Sequence, residues 1–363
     1  MRPPEPRFML EAIALAGRGR GRTHPNPGVG AVVVRDGQPV GRGFHEGPGH
    51  PHAEVEALRE AGELARGADL YVTLEPCNTF GRTPPCTGAI LRAGVARVVA
   101  ATADPNPHVN GNGARELREA GVDVVLGFLA DEGRAVDPAY HAFYINGRPY
   151  VHLKWAQSLD GAVVRPGSDY ITGPEARERV HRERFLADAL LVSAGTVLAD
   201  DPRLTVRLKE LDRPKPLARI VLDGRGRISG RERIFATVPE HGPLWIVRAP
   251  GGPPAPAGAE ILEVPRNAPD GFDLEALLLA LKARAIVYLY VEAVGRLSAS
   301  LLGQRLVDRL SVHVAPWLLG RAGAPGPVDG ALPGGVPLDG ASWERLGKDW
   351  VMNLNLEGRC LQG

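Results

Sequence analysis

Cysteine and lysine are both scarce in this 363-residue sequence, and each shortage excludes a class of protein. The three cysteines, Cys77, Cys86 and Cys360, are too few and odd in number for a disulfide framework. Only five of the 43 basic residues are lysines, which does not match the lysine and glutamate enrichment of hyperthermophiles. A GC-rich genome explains the arginine bias more simply. Because Cys77 and Cys86 lie close together, we expect them to bind a metal or act in catalysis, and Cys360 to be a small apolar residue.

Long apolar runs are absent as well. No stretch approaches the roughly 20 residues that a membrane span needs, and the proline-rich first seven residues do not resemble a secretory signal. A net charge of +1 gives no indication of a polyanionic partner. With 44% hydrophobic and 23% charged residues, the sequence predicts a globular protein with a full core, which we expect to be cytoplasmic.

The first part of the chain alternates between helical and strand patterns. Such alternation predicts a sheet with helices on its faces. A hairpin is expected at the turn Asp36-Gly37. The predicted helices are 8–16, 52–65, 87–93 and 114–120, and the predicted strands are 29–34, 39–44, 70–74, 95–101 and 122–126.

The segment Asn146-Gly147-Arg148-Pro149 interrupts this pattern, and we place a domain boundary there, giving domains 1–146 and 147–363. Two Pro- and Gly-rich stretches, 250–258 and 320–340, are expected to be surface loops. Gly224-Arg225-Gly226 follows a strand but no helix, so it predicts a turn and not a dinucleotide fingerprint. The second domain has predicted helices 174–187, 273–284 and 298–306, and predicted strands 150–155, 189–193, 219–222, 244–247, 286–291 and 309–315.

One His and two Cys form a pattern typical of zinc enzymes. His52-Ala53-Glu54 opens a predicted helix, Pro76-Cys77 follows a strand, and Cys86 precedes another helix. Three such ligands suit tetrahedral zinc with a fourth position left for water. His52 and Glu54 are two residues apart, so they can face one metal only if it lies off the helix N-terminus.

Glu54 completes the chemistry of a deaminase. Zinc with two thiolates and a neutral imidazole lowers the pKa of its bound water toward about 7. Glu54 is then available to carry protons from that water to a leaving amine. The alternative, a buried His with two buried Cys and a surface Glu, does not account for the order H-A-E, strand, P-C and second Cys, which zinc deaminases use.

The full set of motifs resembles one family, the bifunctional deaminase/reductases of riboflavin biosynthesis. That family has an N-terminal cytidine-deaminase-like three-layer α/β/α domain and a C-terminal dihydrofolate-reductase-like α/β domain. The matching segments are T-H-P-N-P-G-V-G-A at 23–31, T-L-E-P-C at 73–77, G-R-T-P-P-C at 81–86, D-P-N-P at 104–107, S-L-D-G at 158–161, I-T-G-P-E-A-R at 171–177 and G-T-V-L-A-D-D-P at 195–202.

For the deaminase, the resemblance implies a diaminohydroxyphosphoribosylaminopyrimidine substrate that loses ammonia by attack of zinc hydroxide. It implies His52, Cys77 and Cys86 as zinc ligands and Glu54 as the proton shuttle. Asn26 resembles a substrate contact, and an Asn turn between two prolines is an equal alternative. The family loop S-H-H-G is replaced by Asn78-Thr79-Phe80-Gly81, which leaves the substrate contacts of 78–80 open.

For the reductase, the resemblance implies NADPH reduction of the ribosyl side chain to ribityl. Arg184 suits an anionic substrate, although its Arg-rich helix could also be a solvated face. The implied cofactor contacts are Ala156, Tyr170, Thr196 and Asp200. The implied substrate contacts are Ser168, Arg184, Leu204 and Arg207, with Lys154 and Glu292 facing the sugar and ring.

A glycine-rich turn of the family is altered here to Glu292-Ala293-Val294-Gly295-Arg296. If position 294 needs a positive φ, Val294 is strained by about 1–3 kcal/mol and weakens NADPH binding. If the turn has shifted, Gly295 takes the special conformation and Arg296 can reach a phosphate.

Two alternatives remain open at this point. A nucleic-acid-editing deaminase uses the same zinc signature, but it calls for a basic surface, and the eight-residue gap between the cysteines differs from P-C-x-x-C. The C-terminal domain could instead be a non-catalytic binding or dimerisation module. We expect a small-molecule nucleotide substrate, no nucleic-acid or membrane partner, and a homo-oligomer, either a dimer or a tetramer.

Overall fold

A computed structural model describes residues 3–81, 83–168, 170–211, 214–268, 271–320 and 326–356. The chain divides into two compact units, Met1–Arg148 and Pro149–Gly363. Cys360 lies outside the described residues. Among the residues described, no helix has the length and apolar character needed to span a membrane.

The first unit is built on a five-stranded sheet in the order β2-β1-β3-β4-β5. The β1–β2 and β1–β3 pairs are antiparallel, while β3, β4 and β5 run parallel. The helices are α1 (Pro6–Gly17), α2 (Ala53–Ala61), α3 (Cys86–Ala93), α4 (Asn112–Glu119), α5 (Ala130–Val136) and α6 (Pro138–Ile145), and the strands are β1 (Gly30–Arg35), β2 (Gln38–Phe44), β3 (Asp69–Leu74), β4 (Arg97–Thr102) and β5 (Asp123–Leu126).

Both faces of this sheet are covered, which confirms the three-layer α/β/α prediction. Met9 and Ala12 of α1 pack on one face with Val32 and Val99. The other face packs against α2, α3 and α4, with Ile90 and Leu117 among its fully buried side chains. Alternate residues of β1 serve the two clusters, as a strand buried on both faces requires.

The predicted elements of this unit are present, with shifts at their ends. The helix expected over 52–65 is α2 followed by a short 3₁₀ helix, Gly62–Ala65, because a glycine interrupts it. Helices α5 and α6 were not predicted. The first has Gly133 at its centre, which lowers helix propensity. The second is apolar on most sides and so has little helical periodicity.

The second unit is built on a nine-stranded sheet in the order β10-β9-β8-β7-β13-β6-β14-β16-β15, with a separate β11–β12 hairpin. Its strands are β6 (Tyr150–Ser158), β7 (Ala189–Ser193), β8 (Ala218–Leu222), β9 (Leu244–Arg248), β10 (Glu260–Glu263), β11 (Arg266–Ala268), β12 (Gly271–Phe272), β13 (Tyr288–Glu292), β14 (Arg309–Ala315), β15 (Ser342–Leu346) and β16 (Asp349–Asn355). Its helices are α7 (Pro174–Leu186), α8 (Ala194–Asp200), α9 (Val238–His241), α10 (Leu274–Lys282) and α11 (Arg296–Gly303), with a 3₁₀ helix at Phe235–Thr237.

The strand order reverses direction within this sheet, between β7 and β13. The strands from β10 to β14 are parallel, so the segments that follow them lie at one edge. The chain proceeds outward through β8 and β9 after β7, but toward β14 after β13. Such a reversal between neighbouring strands is where open α/β sheets bind ligands.

Several elements of the second unit were not predicted. They are α8, α9, β10, β11, β12, β15 and β16. Most are short, and every described position of β15 except Leu346 is exposed, so burial imposes no alternation on its sequence. Gly224-Arg225-Gly226 is a turn, as predicted, with the Gly226 amide donating to the Asp223 carbonyl at 3.2 Å.

Candidate functional site

The three predicted zinc ligands come together at the N-termini of two helices. The distance from His52 Nδ1 is 3.2 Å to Cys86 Sγ and 3.5 Å to Cys77 Sγ, and the three ligand atoms lie within 4.8 Å of one another. His52 is the N-cap of α2 in extended backbone, and Cys86 is the first residue of α3. The ligands therefore lie off the helix ends, where dipoles favour thiolates. Their separations fit a tetrahedral zinc with nitrogen and sulfur ligands.

Thr83 fixes the orientation of the His52 ring, a role that the sequence did not indicate. Its Oγ1 lies 3.3 Å from His52 Nε2, the nitrogen turned away from the sulfurs. With the Nε2 proton donated to Thr83, the Nδ1 lone pair is directed at the two cysteines, as metal ligation requires.

The two thiols have opposite pKa shifts. A hydrogen bond from Cys86 lowers the pKa of Cys77 most, with burial opposing it and His52 assisting. The same hydrogen bond and burial raise the pKa of Cys86. A divalent cation bound between the two sulfurs would favour the thiolate form of both.

Glu54 lies in the first turn of α2 and is only 4% exposed. The alternative of a surface glutamate is therefore wrong. Burial, followed by the nearby Cys77 sulfur, raises the pKa of its carboxyl to about 7. A carboxyl with a pKa near neutrality both accepts and releases protons, which suits general acid–base catalysis.

Asn26 is tied to the metal site through a histidine that the sequence analysis missed. Its Nδ2 lies 3.1 Å from His45 Nε2, and His45 Nδ1 lies 3.1 Å from the Pro51 carbonyl, next to His52. The His45 and His52 rings are edge-to-face, with centroids 5.3 Å apart. His45 precedes His52 by seven residues in a loop, so neither helical nor strand periodicity could have identified it.

In the second unit, Lys154 and Glu292 are neighbours on β6 and β13. Arg184 of α7 makes a bidentate contact with Glu292, with Nε donating to Oε1 at 2.6 Å and Nη2 donating to Oε2 at 2.9 Å. Arg184 is 8% exposed, so the interpretation of a solvated face is wrong. Burial lowers the pKa of Lys154, with Glu292 opposing the shift.

The segment from Leu204 to Arg207 joins this cluster. Arg184 Nη1 donates to the Thr205 carbonyl at 3.0 Å, and Arg207 Nη1 donates to Thr205 Oγ1 at 3.2 Å. Leu204 is buried at φ +51°, an uncommon conformation for a leucine. Arg184 thus links Glu292 to the segment 204–207, which carries the predicted substrate contacts Leu204 and Arg207.

The remaining predicted residues lie at the carboxyl edge or on the loop after β6. Thr196 is in the first turn of α8, where its amide donates to the N-cap Ser193 at 3.2 Å, and Asp200 ends that helix. Ala156 lies two residues beyond Lys154, opposite His313. The Ser168 hydroxyl donates to the Tyr170 carbonyl at 2.9 Å, and the Tyr170 ring, half exposed, stacks with Arg177 at 4.4 Å.

The altered turn after β13 has shifted by one residue. Val294 has no positive φ, so the proposed strain at that position is wrong. Gly295 takes φ +69° and ψ −131° as the N-cap of α11, and Arg296 is the first helical residue. Gly295, and not Val294, thus takes the positive φ of this turn, at the N-terminus of helix α11.

A buried polar layer beneath α7 was also missed. His152 Nδ1 lies 2.7 Å from the Tyr288 hydroxyl, and His152 Nε2 lies 2.7 Å from Ser311 Oγ. The Tyr290 hydroxyl donates to Glu183 at 2.8 Å. Apart from Glu183 of α7, these residues lie on strands that were predicted from their apolar residues, so the pattern gave no sign of the polar ones between them.

Two family models match the chain. Residues 149–352 match the RibD C-terminal domain, and residues 4–102 match the cytidine and deoxycytidylate deaminase zinc-binding region. The chain is 44% identical over 327 residues to the riboflavin biosynthesis protein RibD of Escherichia coli (strain K12), covering 86% of this chain and 88% of that protein. It is 41% identical over 319 residues to the RibD of Aquifex aeolicus (strain VF5), covering 86% and 87% respectively.

Solved structures give the same result. The diaminohydroxyphosphoribosylaminopyrimidine deaminase/5-amino-6-(5-phosphoribosylamino)uracil reductase of Thermotoga maritima is similar with a TM-score of 0.84 and 34% identity, covering 96% of this chain and 97% of that one. RibD of Acinetobacter baumannii (form 1) is similar with a TM-score of 0.82 and 36% identity, covering 96% and 98%.

Proposed function

This chain belongs to the RibD family of riboflavin-biosynthesis proteins, and on that premise we propose which of its residues carry the two reactions. It is a bifunctional enzyme, a zinc-dependent deaminase joined to an NADPH-dependent reductase. The alternatives of a nucleic-acid-editing enzyme and of a non-catalytic C-terminal module are therefore set aside. We propose that the substrate is a diaminohydroxyphosphoribosylaminopyrimidine and that the deaminated product is reduced in the second unit.

For the deaminase, the observation that carries the proposal is the convergence of His52, Cys77 and Cys86 beside a buried Glu54. These three side chains would hold zinc, which supplies an activated water at neutral pH when bound. Glu54 would accept a proton from the attacking water and pass protons to the pyrimidine, so that hydroxide adds to the ring carbon, the C–N bond breaks and ammonia leaves. Asn26, which is hydrogen-bonded to His45, would orient the pyrimidine.

For the reductase, the strand-order reversal at the carboxyl edge supports a cofactor site there. Gly295 and the first turn of α11 lie at the strand-order reversal, with Thr196 and Asp200 following the neighbouring β7. NADPH supplies a hydride when bound. Lys154, Ser168, Leu204, Arg207 and Glu292 would hold the phosphoribosyl chain, and Ala156 and Tyr170 would line the cofactor site.

The contacts of Arg184 favour a structural role over the direct substrate contact that the sequence suggested. Three of its donors are already used on Glu292 and on the Thr205 carbonyl. It therefore fixes the shape of the substrate pocket, and any contact with the substrate phosphate uses its remaining N–H groups.

The test is a two-step assay on the pyrimidine nucleotide, following ammonia release and then NADPH oxidation. Replacing Cys77 and Cys86 by serine should remove zinc and ammonia release. NADPH oxidation on substrate that is already deaminated should remain. Cys360→Ser is the matched control and should keep both activities. Zinc content that is unaffected by the double substitution would overturn the ligand assignment.

We also propose a cytoplasmic location and a homo-oligomer. Reduced thiols as metal ligands suit a reducing compartment. The terminal β15–β16 hairpin exposes Trp343 (58%) and Trp350 (46%), large apolar side chains typical of subunit contacts. Light scattering of the purified protein tests the oligomer, and a monomer at micromolar concentration would contradict it.

A further inference from the structure

The Glu75 carboxylate is buried two residues before the proposed zinc ligand Cys77, but it is not a member of the ligand cluster and accepts hydrogen bonds from backbone amides. It is 3% exposed. Its Oε2 accepts hydrogen bonds from the Asp104 amide at 3.3 Å and the Gly111 amide at 2.9 Å, and its Oε1 accepts one from the Ala114 amide at 3.0 Å. Building on the deaminase function proposed above, we propose that Glu75 is a positioning residue that holds the segment 104–111 beside Cys77 as one wall of the substrate pocket.

The sheet brings this segment to the metal site. Strands β3 and β4 are parallel, with Leu74 opposite Thr102, and the Glu75 amide continues the ladder by donating to the Thr102 carbonyl at 2.9 Å. Residues just past these two strand ends therefore leave the sheet side by side, at a spacing of about 4.8 Å. Cys77 follows one strand end and Asp104 follows the other.

One carboxylate closes both ends of the segment. Asp104 is where the chain leaves β4, and Gly111 is the N-cap of α4. A glycine has no side chain with which to cap a helix. The carboxylate of Glu75 takes that role from another part of the chain, by accepting from the third amide of the helix, that of Ala114.

Backbone packing reinforces this attachment. A Cβ atom at Gly113 would lie 1.9 Å from the Pro76 carbonyl oxygen, so α4 rests directly on the peptide that precedes Cys77. Within the segment, Asp104 accepts from the Asn106 amide at 2.8 Å and from the Tyr140 hydroxyl at 3.1 Å. The segment has a defined shape, and Glu75 and Pro76 fix its distance from the zinc ligand.

Removing the charge should detach the segment without removing the metal. In Glu75→Gln, the side-chain NH₂ group would face a backbone N–H, so two donors would meet and that backbone amide would lose its acceptor. His52 and Cys86 belong to α2 and α3 and do not depend on this bond. Because a displacement of about 1 Å near a reacting group can cost of the order of 10²-fold, we expect kcat/KM for deamination to fall about 10- to 10²-fold, mostly through KM.

The experiment compares Glu75→Gln with Glu119→Gln, which removes the same charge from an exposed position of α4. Zinc content, deamination kcat and KM, and hydrogen exchange of the Gly111 and Ala114 amides are measured for both. We expect full zinc content in both variants, and faster exchange with a raised KM in Glu75→Gln alone. Reduction of substrate that is already deaminated should be unchanged.

Three results would overturn the proposal: unchanged KM with accelerated exchange, unchanged exchange, or loss of zinc in Glu75→Gln. If that variant does not fold, Gly113→Ala displaces α4 from Pro76 with Glu75 intact and should raise KM in the same way. An inactive wild type would instead refute the proposed deaminase function, so the two failures are distinguishable.

Discussion

Arg184 and Glu292 form a buried, bidentate ion pair that joins helix α7 to the end of strand β13. Burial alone would raise the pKa of the Glu292 carboxyl, but the attraction of Arg184 and Lys154 lowers it to about 2. The pair therefore keeps a carboxylate ionised beside Lys154, where the sugar of the substrate is proposed to bind.

Arg184→Ala should unfold or severely weaken the second unit. It leaves a buried carboxylate without its partner, which costs about 3–5 kcal/mol. Arg184→Lys should keep the positive charge but lose the second hydrogen bond to Glu292 and the bond to the Thr205 carbonyl. Reductase activity should therefore fall, with a smaller loss of stability than in Arg184→Ala. Denaturant unfolding followed by tryptophan fluorescence measures the effect, because all five tryptophans lie beyond residue 148. Equal stability of wild type and Arg184→Ala would contradict the role given to the pair.

The lowered pKa of Glu292 also has a predicted pH dependence. The ionised form is favoured in the folded state, so its contribution is complete above the ordinary carboxyl value of 4.5 and is lost as pH falls toward 2. Glu292→Gln should reduce that acid sensitivity relative to its own stability at pH 7. If the stability of Glu292→Gln falls at low pH as steeply as that of the wild type, Glu292 is not the cause of the acid sensitivity.

Glu54→Gln should retain zinc and lose deamination by about 10²–10⁴-fold, since the amide has the same shape but cannot transfer protons. Reduction of deaminated substrate should be unaffected. Metal analysis and ammonia release measure the two properties on one preparation. Glu56→Gln, an acidic residue of the same helix outside the ligand cluster, is the control. Near-normal ammonia release by Glu54→Gln would remove its assigned role.

Substitution should weaken NADPH binding at Gly295 but leave it unchanged at Val294. Gly295→Ala places a side chain at φ +69° and should cost about 1–3 kcal/mol and weaken NADPH binding. Val294→Gly should not tighten binding, because Val294 is not in a strained conformation. Arg296→Thr should also weaken binding, because we propose that this arginine contacts a cofactor phosphate. Equilibrium titration with NADPH measures all three, and tighter binding by Val294→Gly would restore the strain hypothesis.

His152 should make the second unit sensitive to mild acid. Burial, then the charges of Arg309 and His313, lower its pKa well below 6.5. The folded state keeps the ring neutral, so its stability is complete above pH 6.5 and is lost as pH falls below that value. His152→Gln should flatten this dependence between pH 7.5 and about 5.5, measured by urea unfolding and tryptophan fluorescence. His50→Gln, an exposed histidine of the first unit, should leave it unchanged.

The local sequence was sufficient to predict that His52, Cys77 and Cys86 come together. His52, Glu54, Cys77 and Cys86 lie at helix starts and a strand end, and each of those boundaries has its own pattern of apolar periodicity and breakers. The alternation of helices and strands likewise predicted both α/β units, because it follows from which residues one face of an element buries.

Tertiary structure alone decided the partners of those residues. Thr83 and His45 contact the proposed metal site from loops, and Glu75 accepts a hydrogen bond from an amide 39 positions away. Periodicity describes only neighbouring residues, so it could not predict these contacts. The sequence left two interpretations of Arg184 open, a substrate contact or a solvated face, and its buried contact with Glu292 became evident only in the folded structure. The sequence determined what each element is and which chemistry it carries, since both depend on neighbouring residues. Which carboxylate meets which arginine, and which glycine takes the strained turn, depended on how distant elements pack, since those contacts form only when the sheet is assembled.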